Sequence, residues 1–130
     1  MVKAMSPSSK REIEEMQEIP YQNAIGSLIY ASIGTRPDIT YAECWASQFA
    51  NNPGRQHWIA VKRILRYLKG TSSLKLKFTG SSDTSLKVYC DADWGSDEDD
   101  RRSYIGYLFS LAGAAVNWAP EAEYMALTET

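Results

Sequence analysis

Two aspartates, Asp91 and Asp93, are the residues whose type and spacing could hold a metal ion in this chain. They lie in the segment Leu86–Trp94, where apolar and polar residues alternate with the period of a half-buried strand. A carboxylate on such a strand costs free energy unless a cation compensates its charge, so Asp91 is the first candidate for a metal ligand. The residues alone leave an alternative open, in which both are solvent-exposed acids at a strand end.

A second candidate site is a group of arginines and lysines in a segment without acids. The formal net charge is −2, but no Asp or Glu lies between Glu43 and Asp83, whereas seven lie from Asp83 to Asp100. Unpaired cations on one helix are typical of contacts with nucleic-acid phosphates, although a solvated outer face is the simpler alternative. A predicted helix in this segment carries Lys62, Arg66 and Lys69 on one face, with Arg55 and Arg63 to either side.

Hydrophobic periodicity predicts an α+β fold, with a helical N-terminal part followed by an antiparallel strand meander and one helix. Residues 1–19 are predicted as a polar linker or a loosely held helix. Helices are predicted near residues 21–33, 37–50 and 55–69. After Gly70 the period changes to 2, which predicts short strands at residues 74–78, 86–94, 104–111 and 114–118, with Ala112-Gly113 as a turn. Pro120 is predicted to open the last helix.

Composition restricts the cellular setting. The chain has 130 residues, of which 44% are hydrophobic, enough for a core in one small domain. Cys44 and Cys90 are too few for a disulfide framework and lie among apolar residues, which predicts buried free thiols in a reducing compartment. No apolar run approaches the ~20 residues that span a bilayer, and the N-terminus lacks the apolar centre of a signal peptide. We therefore expect a soluble, intracellular protein (cytoplasm or nucleus) without a membrane partner.

Several segments, in their order along the chain, resemble one family, the copia-type retrotransposon Pol polyproteins. The resemblance extends from about Pro20 to Thr130 and covers the junction between reverse transcriptase and its ribonuclease H domain. It implies a helical connection-like region over residues 20–71 and a truncated ribonuclease H-like domain over residues 72–130. The matching segments are Tyr21–Tyr30, Thr35–Ile39, His57–Thr71, Asp91–Trp94, Asp99–Ser103 and Glu121–Tyr124.

The resemblance implies hydrolysis of the RNA strand of an RNA–DNA hybrid, with acids that hold two Mg²⁺ ions. One ion would activate water and the other would stabilise the leaving oxygen. By position, Asp91 matches the first catalytic acid, at the end of the first strand, and Glu123 matches the acid on the first helix. Asp93 belongs to the family signature but is not expected to be a primary ligand.

Two departures from the family pattern argue against an active enzyme. Ala119-Pro120 replaces a longer polar connection between Trp118 and Glu121, and the third and fourth acids of the family are absent. Two carboxylates cannot hold two metals, so weak Mg²⁺ binding is the most that we expect. The chain is therefore predicted to be a fragment that is inactive alone and needs the rest of the Pol polyprotein. The alternatives are a non-catalytic remnant that binds nucleic acid or protein, and a decayed gene product.

Overall fold

The computed structural model describes residues 6–80, 84–93 and 104–123, and for residues 91–93, 104–105 and 120–123 it describes the backbone alone. The chain divides after Leu74 into two compact units. The first unit is helical and the second contains an antiparallel sheet. This arrangement confirms the predicted α+β class.

Four α-helices form the first unit. They are α1 (Lys10–Gln17), α2 (Tyr21–Gly34), α3 (Thr40–Ser47) and α4 (Arg55–Gly70), and a 3₁₀ turn at Pro37–Ile39 precedes α3. Pro37 stands at the first position of that turn, where its missing N–H costs nothing. The helix predicted over residues 37–50 is therefore shorter than expected and begins with a tighter turn.

A reciprocal cap explains why α1 forms in a polar segment. The Ser9 hydroxyl accepts a hydrogen bond from the Glu12 N–H, and the Glu12 carboxylate accepts one from the Ser9 N–H, each at 3.3 Å. These bonds satisfy two donors that the first helical turn would otherwise leave unpaired. Met16 is buried, so this segment forms a capped helix with a core contact, which neither a polar linker nor a loosely held helix describes.

The core of the first unit lies among α2, α3 and α4. Burial of large apolar side chains at spacings of three and four is what fixes helices to one another. Two buried polar contacts position the helices further. Tyr21 donates its hydroxyl proton to the Ala46 carbonyl at 2.7 Å, and the Gly54 N–H donates to Nδ1 of the buried His57 at 2.8 Å. The buried cluster consists of Tyr21, Ile25, Leu28, Ile39, Ala46, Val61 and Ile64.

Three strands form the sheet of the second unit: β1 (Lys87–Asp93), β2 (Tyr104–Leu111) and β3 (Ala114–Glu123), paired in the order β1-β2-β3. The predicted turn between β2 and β3 is confirmed. Ala112 and Gly113 have φ values of 52° and 84°, the left-handed pair that a two-residue hairpin requires. The Thr79 N–H donates to the Ala112 carbonyl at 3.0 Å, which ties the segment before β1 to this turn.

Two elements differ from the sequence prediction. Residues 74–78 form no strand, and their side chains are largely exposed, including Leu74 and Phe78 at 54% each. The helix predicted from Pro120 is wrong over Pro120–Glu123, which belong to β3, and its remaining residues lie outside the described part of the chain. The predicted loop over residues 95–102 also lies outside it.

Pro120 is compatible with a strand because β3 is at the edge of the described sheet and carries a bulge there. Tyr107 pairs with Ala119 and Ile105 pairs with Ala122, so two β3 residues, Pro120 and Glu121, face one residue of β2. Edge strands and bulges are the positions in a sheet that tolerate a residue without an N–H. The proline therefore marks a bulge and not a helix start.

Candidate nucleic-acid interface

The basic side chains of α4 form an exposed stripe along the helix. Arg55, Lys62, Arg66 and Lys69 recur at spacings of seven, four and three residues, which places them on one side of a helix. At a rise of ~1.5 Å per residue, the stripe is about 21 Å long. All four side chains are exposed, as is Arg63 beside them. The five cations predicted from the sequence therefore lie together on an accessible surface.

The opposite side of α4 fixes the direction of this stripe. Val61 is fully buried and Ile64 is 9% exposed, and Leu68 packs against the same core. Because these residues alternate with the cations at helical spacing, the basic side chains cannot rotate toward the core. Within the described residues, the ion pairs are Arg11–Glu15 and Arg36–Asp38, and neither involves the α4 cations. The stripe is thus electrostatically available to a polyanion.

A hydrogen-bond network, which we call the Arg36 clamp, fixes the C-terminal end of α4. Arg36 donates to both carboxylate oxygens of Asp38, at 3.0 and 2.8 Å, and to the carbonyl and hydroxyl oxygens of Thr71, at 3.2 and 2.6 Å. Tyr67 donates its hydroxyl proton to Asp38 at 2.8 Å. The carbonyl of Thr71 is one that the helix itself leaves unpaired, so the clamp also caps α4.

The clamp is strongly charged, and its acid stays ionised. The hydrogen bond from Arg36 lowers the pKa of Asp38 to about 2, although partial burial opposes this shift. The same contact raises the pKa of Arg36 above its ordinary value. Arg36 is only 8% exposed, and its charge is paired with Asp38 inside the unit, so it does not extend the basic stripe at the surface. The segment Thr35–Ile39 therefore has a structural role in holding α4.

A groove of about 840 Å³ lies between α1 and the N-terminal half of α4. Trp58 and Ile59 are half-buried within it, Arg55 and Lys62 line its α4 wall, and acids of α1 line the other wall. This groove was not predicted from the sequence. The signal that could have found it is the Ser-x-x-Glu capping box at Ser9, which predicts a helix that presents Glu12 and Glu15.

The predicted catalytic acids lie on the two outer strands of the described sheet. Asp91 pairs with Gly106, and Asp93 pairs with Tyr104. Tyr104 also pairs with Glu123 on its other side. Since neighbouring strands are ~4.8 Å apart, the backbones of Asp93 and Glu123 are about 10 Å apart. Glu123 therefore lies in a strand and not on the helix that the resemblance implied for it.

The described part of the chain contains no preformed metal centre. Among the described residues, no three His, Cys, Asp or Glu side chains come together in a metal-binding arrangement. The side chains of Asp91 and Glu123 lie outside that description, so their assignment as Mg²⁺ ligands stays a prediction.

The cysteines and the helices bear on the predicted cellular setting. Cys44 and Cys90 form no disulfide with a described residue. Cys44 is half-buried and Cys90 is exposed, so the prediction that both are buried is wrong for Cys90. Its neighbours Val88 and Tyr89 are 50% and 60% exposed, because nothing in the described residues covers this part of β1. None of the helices within the described ranges is long and apolar enough to cross a membrane.

Comparisons with known proteins find both transposon Pol polyproteins and a secreted effector protein among the relatives of the chain. The chain is 48% identical over 139 aligned positions to the retrovirus-related Pol polyprotein from transposon TNT 1-94 of Nicotiana tabacum, covering 98% of this chain and 10% of that protein. It is 36% identical to the Pol polyprotein from transposon RE1 of Arabidopsis thaliana, covering 97% of this chain and 10% of that protein. It is also 43% identical to secreted RxLR effector protein 161 of Plasmopara viticola, covering 88% of each chain.

The chain thus spans about a tenth of the length of the Pol polyproteins that it matches. The alignment with the tobacco protein has 139 positions, more than the 130 residues of this chain, so that relative carries residues that this chain lacks. No protein-family profile matches the chain, and no solved structure does.

Proposed function

We propose that the chain derives from a retrotransposon Pol polyprotein, as its homologues suggest, and that it corresponds to the reverse transcriptase–ribonuclease H junction of a copia-type element. The order of its motifs supports this assignment, since the helical segments precede the Asp91–Trp94 segment as the resemblance requires. The residues that its tobacco relative has in addition are consistent with a shortened connection before Glu121.

Within this fragment, we infer that α4 contacts the phosphate backbone of nucleic acid without sequence specificity. The observation that carries the proposal is the exposed stripe of Arg55, Lys62, Arg66 and Lys69, which has no carboxylate paired with it among the described residues. Binding of such a stripe releases counterions from the polyanion, and this release supplies most of the affinity of non-specific complexes. An RNA–DNA hybrid is the natural polyanion for a chain of this family.

The test is binding of a fluorescent RNA–DNA hybrid at low salt, measured by anisotropy. The variant Lys62→Glu/Arg66→Glu/Lys69→Glu should lose binding because it replaces the centre of the stripe with negative charge. A matched control, Lys75→Glu/Lys77→Glu/Lys87→Glu, changes the net charge equally at exposed lysines of the second unit. Equal loss in both variants would mean that net charge, and not α4, determines binding.

We propose that the chain does not cleave RNA on its own. The strand position of Glu123 supports this because a two-metal site needs its carboxylates close together. Glu123 aligns across β2 with Asp93, about 10 Å away in backbone terms, and the candidate ligand Asp91 lies two residues away from Asp93 along β1. If Mg²⁺ bound, hard oxygen ligands at Asp91 and Glu123 would hold it, and the ion would supply an activated water. Hybrid cleavage in Mg²⁺ or Mn²⁺ that disappears in Asp91→Asn would refute the proposal and establish a weak nuclease.

A further inference from the structure

The groove between α1 and α4 has two walls of opposite charge. Arg55 and Lys62 stand on the α4 side, about 10.5 Å apart along the helix axis, and they are the first two members of the basic stripe. Glu12 and Glu15 stand on the α1 side. The volume of about 840 Å³ lies within the ~300–1,000 Å³ that small-ligand sites occupy. The groove is therefore large enough for a planar ring system and continuous with the basic stripe of α4.

The interior of the groove is partly apolar. Trp58 packs against the core through its contact with Tyr21, at 6.3 Å between ring centroids, and also lines the groove with Ile59 and Met16. Aromatic side chains beside a positively charged track are the arrangement by which proteins bind single-stranded nucleic acid, since every base has a face that stacks. A duplex cannot use such a pocket because its bases are stacked inside the helix.

We propose that this groove binds an unpaired base of single-stranded nucleic acid whose phosphates follow the α4 stripe. The inference rests on the proposed phosphate contact of α4 and adds to it a ligand class and a base-binding position. The sugar–phosphate backbone of the nucleic acid lies along Arg55 and Lys62, and the unpaired base turns into the groove and stacks on Trp58. The α1 carboxylates, which repel phosphate, keep the backbone on the α4 wall and so fix this orientation.

The α1 carboxylates retain acceptor capacity for the base. Glu12 receives the N–H groups of Ser8 and Ser9 on one oxygen, and these hydrogen bonds lower its pKa, so it stays ionised. Glu15 accepts a hydrogen bond from Nε of Arg11 on one of its oxygens, at 3.2 Å. Each carboxylate has a second oxygen with free lone pairs. Carboxylates accept hydrogen bonds from the exocyclic amino group of cytosine, where thymine presents the O4 acceptor instead. The groove therefore prefers amino-bearing bases over thymine.

The experiment compares oligo-dC and oligo-dT of one length in anisotropy titrations at neutral pH. We expect the wild-type chain to bind oligo-dC several-fold more tightly. Glu15→Ala should bring the ratio of the two affinities close to one, whereas Glu14→Ala, an equal charge change outside the groove lining, should preserve it. The ratio is the informative quantity because loss of any acid raises the affinity for every polyanion.

A second pair of variants tests the stacking surface. Trp58→Leu keeps an apolar side chain against Tyr21 but removes the ring. It should lower the affinity for both oligonucleotides about tenfold. Trp45→Leu is the matched control, because Trp45 packs edge-on against Phe49 at 5.3 Å and does not line the groove. Circular dichroism of each variant excludes losses that arise from unfolding.

The outcomes separate this inference from the function on which it rests. Binding of both oligonucleotides with equal affinity, or equal ratios in Glu15→Ala and Glu14→Ala, would overturn the base pocket and leave the α4 contact standing. In that case the groove would suit a peptide partner. Absence of any nucleic-acid binding would overturn both. A ratio that collapses only in Glu15→Ala, with weakening only in Trp58→Leu, would establish the pocket.

Discussion

The Arg36 clamp makes the stability of the first unit depend on pH in a way that one substitution can isolate. Asp38→Asn keeps the size of the side chain but removes its charge, and so takes away the ion pair with Arg36. The pKa of Asp38 is lowered from 3.8 to about 2, mainly by the hydrogen bond from Arg36. At ~1.4 kcal/mol per pKa unit the full shift would correspond to about 2.5 kcal/mol. Because the Asp38 side chain is 32% exposed, solvent screening reduces this to about 1–2 kcal/mol.

The sign follows from the direction of the shift. A carboxyl group whose pKa is lowered by folding stabilises the folded state above its unfolded pKa, near 4, and loses that contribution as the pH falls through about 2. At pH 7 the asparagine variant should therefore be less stable by about 1–2 kcal/mol. Near pH 2 most of the difference between the free energies of unfolding of the two proteins should disappear, since the wild-type carboxyl group is then about half protonated in the folded state and largely protonated in the unfolded state.

Urea unfolding followed by circular dichroism at 222 nm is the appropriate assay, because every helix formed by the described residues lies in the first unit. Glu15→Gln is the control. It removes an ion pair whose side chains are 90% and 56% exposed, so no measurable change in stability is expected. A destabilisation by Asp38→Asn that is the same at pH 7 and pH 2 would contradict the electrostatic account of the clamp, as would no destabilisation at pH 7.

Three further predictions concern single side chains of the first unit. Tyr21→Phe removes the bond to the Ala46 carbonyl and should lower stability by about 1 kcal/mol in urea unfolding; an unchanged midpoint would contradict a buried hydrogen bond. Burial raises the pKa of Tyr21 to about 12, so the neutral form stabilises the unit below pH 10 and this contribution is lost towards pH 12. Absorbance titration near 295 nm should show a late-titrating tyrosine that is absent in the phenylalanine variant; the hydrogen bond to Asp38 also raises the pKa of Tyr67, and that contribution should remain in both proteins. The methyl group that Gly26→Ala adds would meet no atom within 4 Å, so this substitution should stabilise α2 by up to about 1 kcal/mol. A loss of stability would reveal a contact at that face. Ser9→Ala should lower helicity through fraying of α1, detected by faster amide exchange there but not in α4.

Periodicity predicted the elements whose apolar stripe is long and strongly amphipathic. The predicted helix over residues 55–69 is α4, and the direction of its basic face followed from the burial of Val61 and Ile64. The same reasoning placed β1 and β2 because alternation over seven or eight residues has no helical counterpart. Those two predictions needed only local information.

The misplaced elements depended on information that lies outside any local window. Residues 74–78 alternate as a strand does, but a strand also needs a pairing partner, and none of the described strands pairs with them. Pro120 has the signature of a helix start, but its position opposite Gly106 in a bulge is set by the register of β2 and β3. The capping box at Ser9 could have predicted α1, but the groove also depends on the docking of α1 through Met16, which the capping box does not encode.

The most direct test of the α4 contact is the salt dependence of nucleic-acid affinity. We predict that the logarithm of the association constant for the RNA–DNA hybrid falls linearly with the logarithm of salt concentration, with a slope of about −3.6 for a stripe of four cations on a duplex. In Lys62→Glu/Arg66→Glu/Lys69→Glu any residual binding should have a slope smaller in magnitude by about 2–3. A wild-type affinity that does not change with salt, or a slope that the triple change leaves intact, would contradict the assignment of α4 as the nucleic-acid interface.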